Sequence, residues 1–192
     1  MAAPELTKDY FYKNRVVVYQ KKKGFRFSVD APILADFIPE MPGKRAYEIG
    51  SGSGIISMLL TCRNKVKHIH AFEIQPVLAE IARKNIRENR FEERIEIIEG
   101  DFISEAERIA KETGQKPELI FSNPPYYTKT WGRISQNPEI ATAKFELTIR
   151  LSLIVEKAAS LLIPGGDLCL ILPWQRHGEM MDLASEFGFK IR

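Results

Sequence analysis

Short apolar runs alternate with longer stretches whose apolar positions recur at helical spacing, and this alternation covers most of the chain. Residues 45–49, 67–72, 94–98, 118–122 and 167–172 predict buried strands. Between them, 54–62, 76–90, 103–112 and 146–162 predict helices, and 174–187 predicts a last one. In the second of these helices Val77, Leu78, Ile81, Ala82, Asn85 and Ile86 share one face. Pro164-Gly165-Gly166 ends the fourth. Strands alternating with helices imply an α/β fold with a doubly wound parallel sheet, because parallel neighbours need helical crossovers. Ligands in such sheets bind beyond the carboxyl ends of the strands.

Ahead of this pattern, Val16-Val17-Val18-Tyr19 and Phe25-Arg26-Phe27-Ser28 read as two strands of a hairpin joined by Lys21-Lys22-Lys23-Gly24. Asp30 is placed to cap a short helix, with Pro32 in its first turn and Ile33, Leu34, Phe37 and Ile38 apolar. Residues 39–43 close it.

The chain of 192 residues is long enough for one domain with a full core, and 44% hydrophobic with 28% charged residues is ordinary for a globular protein. No apolar run is long enough to span a bilayer. Lys8, Asp9, Lys13 and Arg15 interrupt any secretory pattern, which makes a cytoplasmic location the expectation. Cys62 and Cys169 stand apart in apolar segments and read as reduced core thiols. A net charge of +3 is too small to diagnose nucleic-acid binding, but its distribution is uneven. Residues 1–26 hold seven Lys and Arg against Glu5 and Asp9, a net +5, and the rest of the chain is net −2. Interleaved with Tyr10, Phe11, Tyr12 and Tyr19, this segment fits either a phosphate backbone or a solvated Lys-rich turn.

Chemistry gathers at the predicted strand ends. Glu48-Ile49-Gly50-Ser51-Gly52-Ser53-Gly54 leaves one strand and enters a helix, and its glycines let backbone approach a ligand closely. Ile55 stands where a dinucleotide fingerprint has its third Gly, so the loop suits the amino-acid portion of a smaller cofactor. Glu73 ends the next strand, where a carboxylate accepts from ribose hydroxyls or caps the following helix. Asp101 follows the third strand, placed to accept from an adenine amine, with Phe102 beside it to pack on the ring. The fourth strand runs into Asn123-Pro124-Pro125-Tyr126. Consecutive prolines hold that tetrapeptide extended and remove competing N–H donors, so it offers acceptor oxygens and an aromatic face to a planar amine.

These motifs resemble, over nearly the whole chain, those of class I S-adenosylmethionine-dependent methyltransferases. Asn-Pro-Pro-Tyr resembles the branch that methylates nitrogens conjugated to a π system: adenine N6, guanine N2 or glutamine amide nitrogen. The resemblance implies that Glu48, Gly50, Ser51, Gly52, Gly54, Glu73, Ile74, Asp101, Phe102 and Asn123 contact S-adenosyl-L-methionine. It also implies that the Asn123 side-chain oxygen and the Pro124 carbonyl accept from the target amine while Tyr126 stacks on it. Residues 20–35 are similar to the segment preceding the Gly-rich loop in bacterial tRNA (adenine-N6)-methyltransferases, which act on adenosine beside the anticodon of a valine tRNA. In that family the segment folds over the cofactor, which makes Phe27 and Asp30 contacts. Their alternatives are a core Phe and a plain helix cap.

The resemblance divides the chain into residues 1–42, a basic hairpin and helix packing over the cofactor site, and residues 43–192, the methyltransferase core, together one structural domain. A complete core of this class ends in two further antiparallel strands. Phe189-Lys190-Ile191-Arg192 reads as the start of the first, and we read the chain as C-terminally incomplete. The family's basic-His-Glu tripeptide appears here as Lys144-Phe145-Glu146. Lys129, Arg133 and Lys144 are candidate phosphate contacts in a long loop, and His68 with His70 lacks a third ligand for a metal. The function this implies is methylation of adenine N6 in RNA, most simply tRNA. The alternatives are a protein glutamine-N5 or guanine-N2 methyltransferase, and, from another class, a non-catalytic binding subunit of the same fold.

Overall fold

The computed structural model describes residues 4–24, 26–124 and 150–192. Its centre is a parallel sheet of β3 (Arg45–Ile49), β4 (His68–Glu73), β5 (Ile95–Glu99), β6 (Leu119–Ser122) and β7 (Asp167–Leu170), in the spatial order β5-β4-β3-β6-β7. The order runs outward from β3 in one direction and then resumes on its other side. The switch point therefore lies between β3 and β6.

Alternating side chains of the strands feed two cores. Ala46, Ile69, Ala71, Ile95, Ile97, Leu119 and Phe121 face one side, packed by α2 (Ile55–Cys62) and α3 (Pro76–Glu88). Tyr47, Ile49, Phe72, Ile98 and Ile120 face the other, packed by α4 (Phe102–Thr113) and α5 (Leu151–Leu161). The doubly wound α/β fold read from the sequence is borne out. A 3₁₀ turn (Trp174–Arg176) leads into α6 (His177–Glu186) beside β7.

Two parts of the sequence reading are corrected. The N-terminal hairpin pairs β2 (Val16–Lys21) with β1 (Leu6–Phe11), and residues 26–28 form no strand. Its turn runs through Tyr12, Lys13 and Asn14, all at positive φ, and frees residues 26–28 as irregular chain leading to α1 (Asp30–Phe37). Residues 188–192 form no strand. The Phe189 N–H instead donates to the Ala184 carbonyl, and Arg192 Nη1 sits 3.6 Å from Asp167 Oδ1.

The N-terminal extension is bolted to the core by polar contacts. Lys65, buried after α2, donates its ammonium to the carbonyls of Ala35, Asp36 and Ile38, closing the C-terminus of α1 where a cation complements the helix dipole. Asn85 of α3 and Asn89, its C-cap, each pair with both backbone groups of one residue of β2. Val29, not Asp30, occupies the N-cap of α1, and Asp30 is its first helical residue. Ile33 and Phe37 face solvent, while Ala31, Leu34, Ala35 and Ile38 are buried.

Candidate functional site

Strand register brings the chemistry to one edge. Ile49 of β3 pairs with Phe72 of β4 on one side and Ser122 of β6 on the other, and Glu73 pairs with Glu99. The loops carrying Gly50, Glu73, Asp101 and Asn123 thus leave the same end of the sheet.

The Gly-rich loop is fixed by backbone hydrogen bonds, to β4 and within itself. Gly50 and Ser51 both donate to the Phe72 carbonyl, at 2.9 and 3.0 Å, and Gly54 donates to Ser51 at 2.8 Å. Gly50, Gly52 and Gly54 have φ of 69°, 56° and 80°. A Cβ on Gly50 would meet nothing within 4 Å, so this side of the loop opens into free space. Gly54 instead lies against Ala82 and Ile86, which brings α2 close to α3.

Glu73 is buried and grips the loop: its carboxylate accepts from Gly52 N–H at 2.8 Å and from Gln75 N–H at 2.9 Å. It therefore holds the glycines in place and turns the chain toward α3. Beside it Ile74 is 40% exposed, an apolar surface at the rim.

Glu48 is buried beneath the loop. The Ser57 hydroxyl donates to its Oε2, while Oε1 has no partner among the described residues. Burial pushes its pKa up to about 8; the Ser57 hydrogen bond opposes the rise and the Glu73 charge adds to it. Ser51 Oγ and Ser53 Oγ are likewise buried without a partner among the described residues. Two unsatisfied polar atoms on one loop and a third on the strand beneath it are unusual in a folded interior and fit a ligand with both donors and acceptors.

Asp101 caps α4, accepting from Ile103 N–H at 3.1 Å, and its side chain is exposed. Phe102 departs from the expectation. Its ring is buried on the amphipathic inner face of α4, edge-on to Phe72 with centroids 5.3 Å apart, rather than open to a ligand. At the end of β6 the Ser122 hydroxyl donates to the Ile49 carbonyl at 2.8 Å, tying the residue before Asn123 to the strand that launches the glycine loop. Pro124 is buried and Asn123 partly so. Tyr126, with Lys129, Trp131, Arg133 and Lys144-Phe145-Glu146, lies outside the described residues.

Phe27 is half-buried, its ring edge-on to Phe11 at 5.1 Å and its N–H donating to Gln20 Oε1. Asp30 accepts from the Ser28 hydroxyl at 2.6 Å. His68 and His70 share a face, as their spacing required, with rings 4.7 Å apart. Burial drives the His70 pKa down to about 4, so its contact with Glu96 at 3.4 Å is made by a neutral ring at neutral pH. Among the described residues no group of three or more His, Cys, Asp or Glu is placed to hold a metal ion.

Sequence reasoning passed over Ser57, Ser122 and the role of Asn85. The signal for Ser57 and Asn85 was a polar residue on an otherwise apolar helix face. For Ser122 there was none, because a Ser ending a strand is commonplace.

A doubly wound sheet with a glycine loop on one side of its switch point and Asn-Pro on the other is the architecture of S-adenosylmethionine-dependent methyltransferases. Solved structures agree in fold. The SAM-dependent methyltransferase of Agrobacterium tumefaciens superposes with a TM-score of 0.65 at 17% identity, over 98% of this chain and 60% of that one. A putative SAM-dependent methyltransferase from Streptococcus mutans gives 0.69 at 10% identity, over 100% and 48%. The chain belongs to the methyltransferase small domain family, whose model matches residues 26–189.

Curated relatives named tRNA1(Val) (adenine(37)-N6)-methyltransferase are similar at greater identity. That of Porphyromonas gingivalis is 31% identical over 184 residues, 93% of this chain and 71% of the relative. Those of a Flavobacteriaceae bacterium and of Aliivibrio fischeri are each 29% identical, over 85% and 78% of this chain. The chain spans 66% and 61% of the length of these two.

The residues present fit the amino-acid end of S-adenosylmethionine. Two serine hydroxyls able to donate to a carboxylate and one carboxyl oxygen able to accept from an ammonium have no partner among the described residues, and the side of Gly50 where a Cβ would stand is open.

Proposed function

We propose that this chain methylates the exocyclic N6 amine of an adenine in tRNA, with S-adenosyl-L-methionine as donor and S-adenosyl-L-homocysteine as product. The observation that carries the reading is the placement of Asn123-Pro124 at the end of β6, tied through Ser122 to Ile49, the last residue of β3. The names of the relatives supply the nucleobase and the class of RNA.

An exocyclic amine donates its lone pair into the ring and is a poor nucleophile. Asn123 Oδ1 and the Pro124 carbonyl answer this by accepting its two N–H bonds, favouring the pyramidal nitrogen that in-line attack requires. S-Adenosylmethionine, when bound, supplies an electrophilic methyl group on a sulfonium. Pro124 is buried, which fixes its carbonyl, and two prolines in succession remove donors that would compete for it. No strong base is required, since the amine sheds its proton after alkylation. Glu48, Ser51 and Ser53 hold the amino-acid end, Glu73 with Ile74 and Asp101 serve ribose and adenine, and Phe27 and Asp30 close the near side. Tyr126 supplies the stacking face.

The outer face of the hairpin supports an RNA substrate. Lys84 sits 4.1 Å over the Tyr19 ring, and Arg63 4.7 Å over Tyr12, with Arg15 and Lys8 alongside. Cations interleaved with aromatic rings suit phosphate and base together.

Incubation of the protein with labelled cofactor and bulk tRNA, followed by digestion to nucleosides, tests the reading. Label is expected in N6-methyladenosine and is expected to vanish with Asn123→Ala. Label in protein, or in another nucleoside, overturns it.

A further inference from the structure

We infer that Trp174 is a stacking platform for an unpaired base next to the target adenosine, an inference that rests on the RNA reading above. Trp174 is 79% exposed, the most exposed of the large hydrophobic side chains among the described residues. Isolated surface apolar residues are ordinary, and exposure alone assigns nothing. Position and rigidity single this one out.

Position follows from the sheet. Ile171 N–H donates to the Ser122 carbonyl at 3.3 Å, which fixes the chain leaving β7 to the residue just before Asn123. Trp174 comes three residues later, a stretch that spans at most roughly 10 Å when extended. It therefore lies a step or two along a nucleic-acid strand from the group that grips the amine. It also lies on the β7 side of Asn123, whereas Gly50, Glu73 and Asp101 occupy the β3-β4-β5 side. With the cofactor on one flank, neighbouring nucleotides leave by the other.

Rigidity comes from the turn beneath it. Pro173 precedes Trp174 in extended conformation, with φ of −60° and ψ of 144°, and its carbonyl accepts from Arg176 N–H at 2.9 Å. The Trp174 carbonyl accepts from His177 N–H. The Arg176 guanidinium is buried and forks onto both oxygens of Glu179 at 2.8 Å. The indole itself stacks on the His177 ring, centroids 4.6 Å apart and planes 25° from parallel. A flat ring backed on one side and open to solvent is what an unstacked base requires, and little side-chain entropy is lost when one lands on it. Nearby, Arg150 is exposed just before α5, whose Leu151 packs in one apolar cluster with Leu172. That puts a cation for phosphate on the same rim.

The chain has two tryptophans, so a Trp131→Phe background leaves Trp174 as the sole indole reporter. The probes are a synthetic RNA hairpin with adenosine in its single-stranded loop, and the same hairpin with abasic residues flanking that adenosine. The first is expected to quench Trp174 emission and the second not. Trp174→Ala is expected to raise KM for the intact hairpin by about five- to a hundred-fold, the range of one base–aromatic stack. kcat and calorimetric affinity for S-adenosylmethionine stay near the parent values, which also shows the variant to be folded. Trp174→Phe recovers most of the loss, and abasic RNA adds no further loss to Trp174→Ala. RNA that binds and is methylated without changing the emission overturns the inference alone, as does an unchanged KM in Trp174→Ala. A parent protein that neither binds nor methylates RNA overturns the proposed function, and this inference with it.

Discussion

Asn85 holds Tyr19 by both of its backbone groups. Its Oδ1 accepts the Tyr19 N–H at 2.7 Å, and its Nδ2 returns to the Tyr19 carbonyl at 3.0 Å. One helical turn later Asn89 repeats the grip on Val17, at 2.8 and 2.7 Å. Four residues of helix rise about 6 Å and two residues of strand about 6.7 Å, so Asn85 and the C-cap Asn89 meet alternate residues of β2 as a neighbouring strand would. Asn85 Nδ2 also reaches the Ser53 carbonyl at 2.9 Å, joining the basic hairpin to the Gly-rich loop through one buried carboxamide.

Asn85→Ala would leave the Tyr19 and Ser53 backbone groups unpaired in the interior. A loss of about 2–4 kcal/mol in urea unfolding is expected, together with weaker cofactor binding. Asn85→Asp keeps the acceptor and loses the donor. It also buries a carboxyl group against two carbonyl oxygens, so it is expected to lose at least as much as Asn85→Ala, and indistinguishable unfolding of all three proteins would remove Asn85 from this role.

Glu48 gives the free protein a pH dependence. Its pKa is raised by burial from 4.5 unfolded to about 8 folded, so over that window the native state binds the extra proton. Stability from this group is fully present below pH 4.5. It falls as pH rises toward 8, by up to about 1.4 kcal/mol per unit, and then levels off. Glu48→Gln is expected to flatten the slope. A cationic cofactor beside the carboxyl favours its ionised form, so binding at neutral pH is expected to release a proton. Calorimetry in buffers of different ionisation enthalpy reads that release, which Glu48→Gln abolishes.

Ser122→Ala removes the hydroxyl that donates to Ile49. A stability loss near 1 kcal/mol is expected from one buried hydrogen bond. Because the bond positions Asn123 and not the cofactor loop, kcat is expected to fall with affinity for S-adenosylmethionine unchanged. Equal loss of both would place Ser122 in the general scaffold.

Gly50→Ala tests the loop conformation. No atom obstructs a Cβ there, but φ of 69° costs a non-glycine residue roughly 1–2 kcal/mol. A modest drop in melting temperature with a larger loss of cofactor affinity is expected, since the Cβ would project into the open side of the loop. Unimpaired cofactor binding in a folded Gly50→Ala protein would count against the cradle.

The loop geometry of the candidate site was legible because backbone conformation wrote it. Positive φ at Gly50, Gly52 and Gly54 favours glycine, and a proline pair after a strand imposes an extended chain, so both motifs stand out in one dimension. The hairpin was misread because β1 alternates polar with apolar residues weakly through Leu6-Thr7-Lys8-Asp9, whereas residues 25–28 look more strand-like. The pairing was decided by the left-handed turn at Tyr12, Lys13 and Asn14, none of which is glycine. Phe102 was read as a ligand-facing ring from its neighbour Asp101, yet the first turn of α4 rotates it into the core against Phe72.

The alternation of strands and helices from β3 onward, the strand ends bearing acids and glycines, and the Asn-Pro pair were determined by sequence alone. Hydrophobic period and restricted φ are local properties, and local properties can be read along a chain. Only the tertiary structure decided that Glu73 clasps Gly52, that Ser57 meets Glu48, and that Asn85 bridges Tyr19 and Ser53. Those contacts join residues between 9 and 66 positions apart. Their partners are chosen by how the layers pack, and no short window of sequence contains both halves.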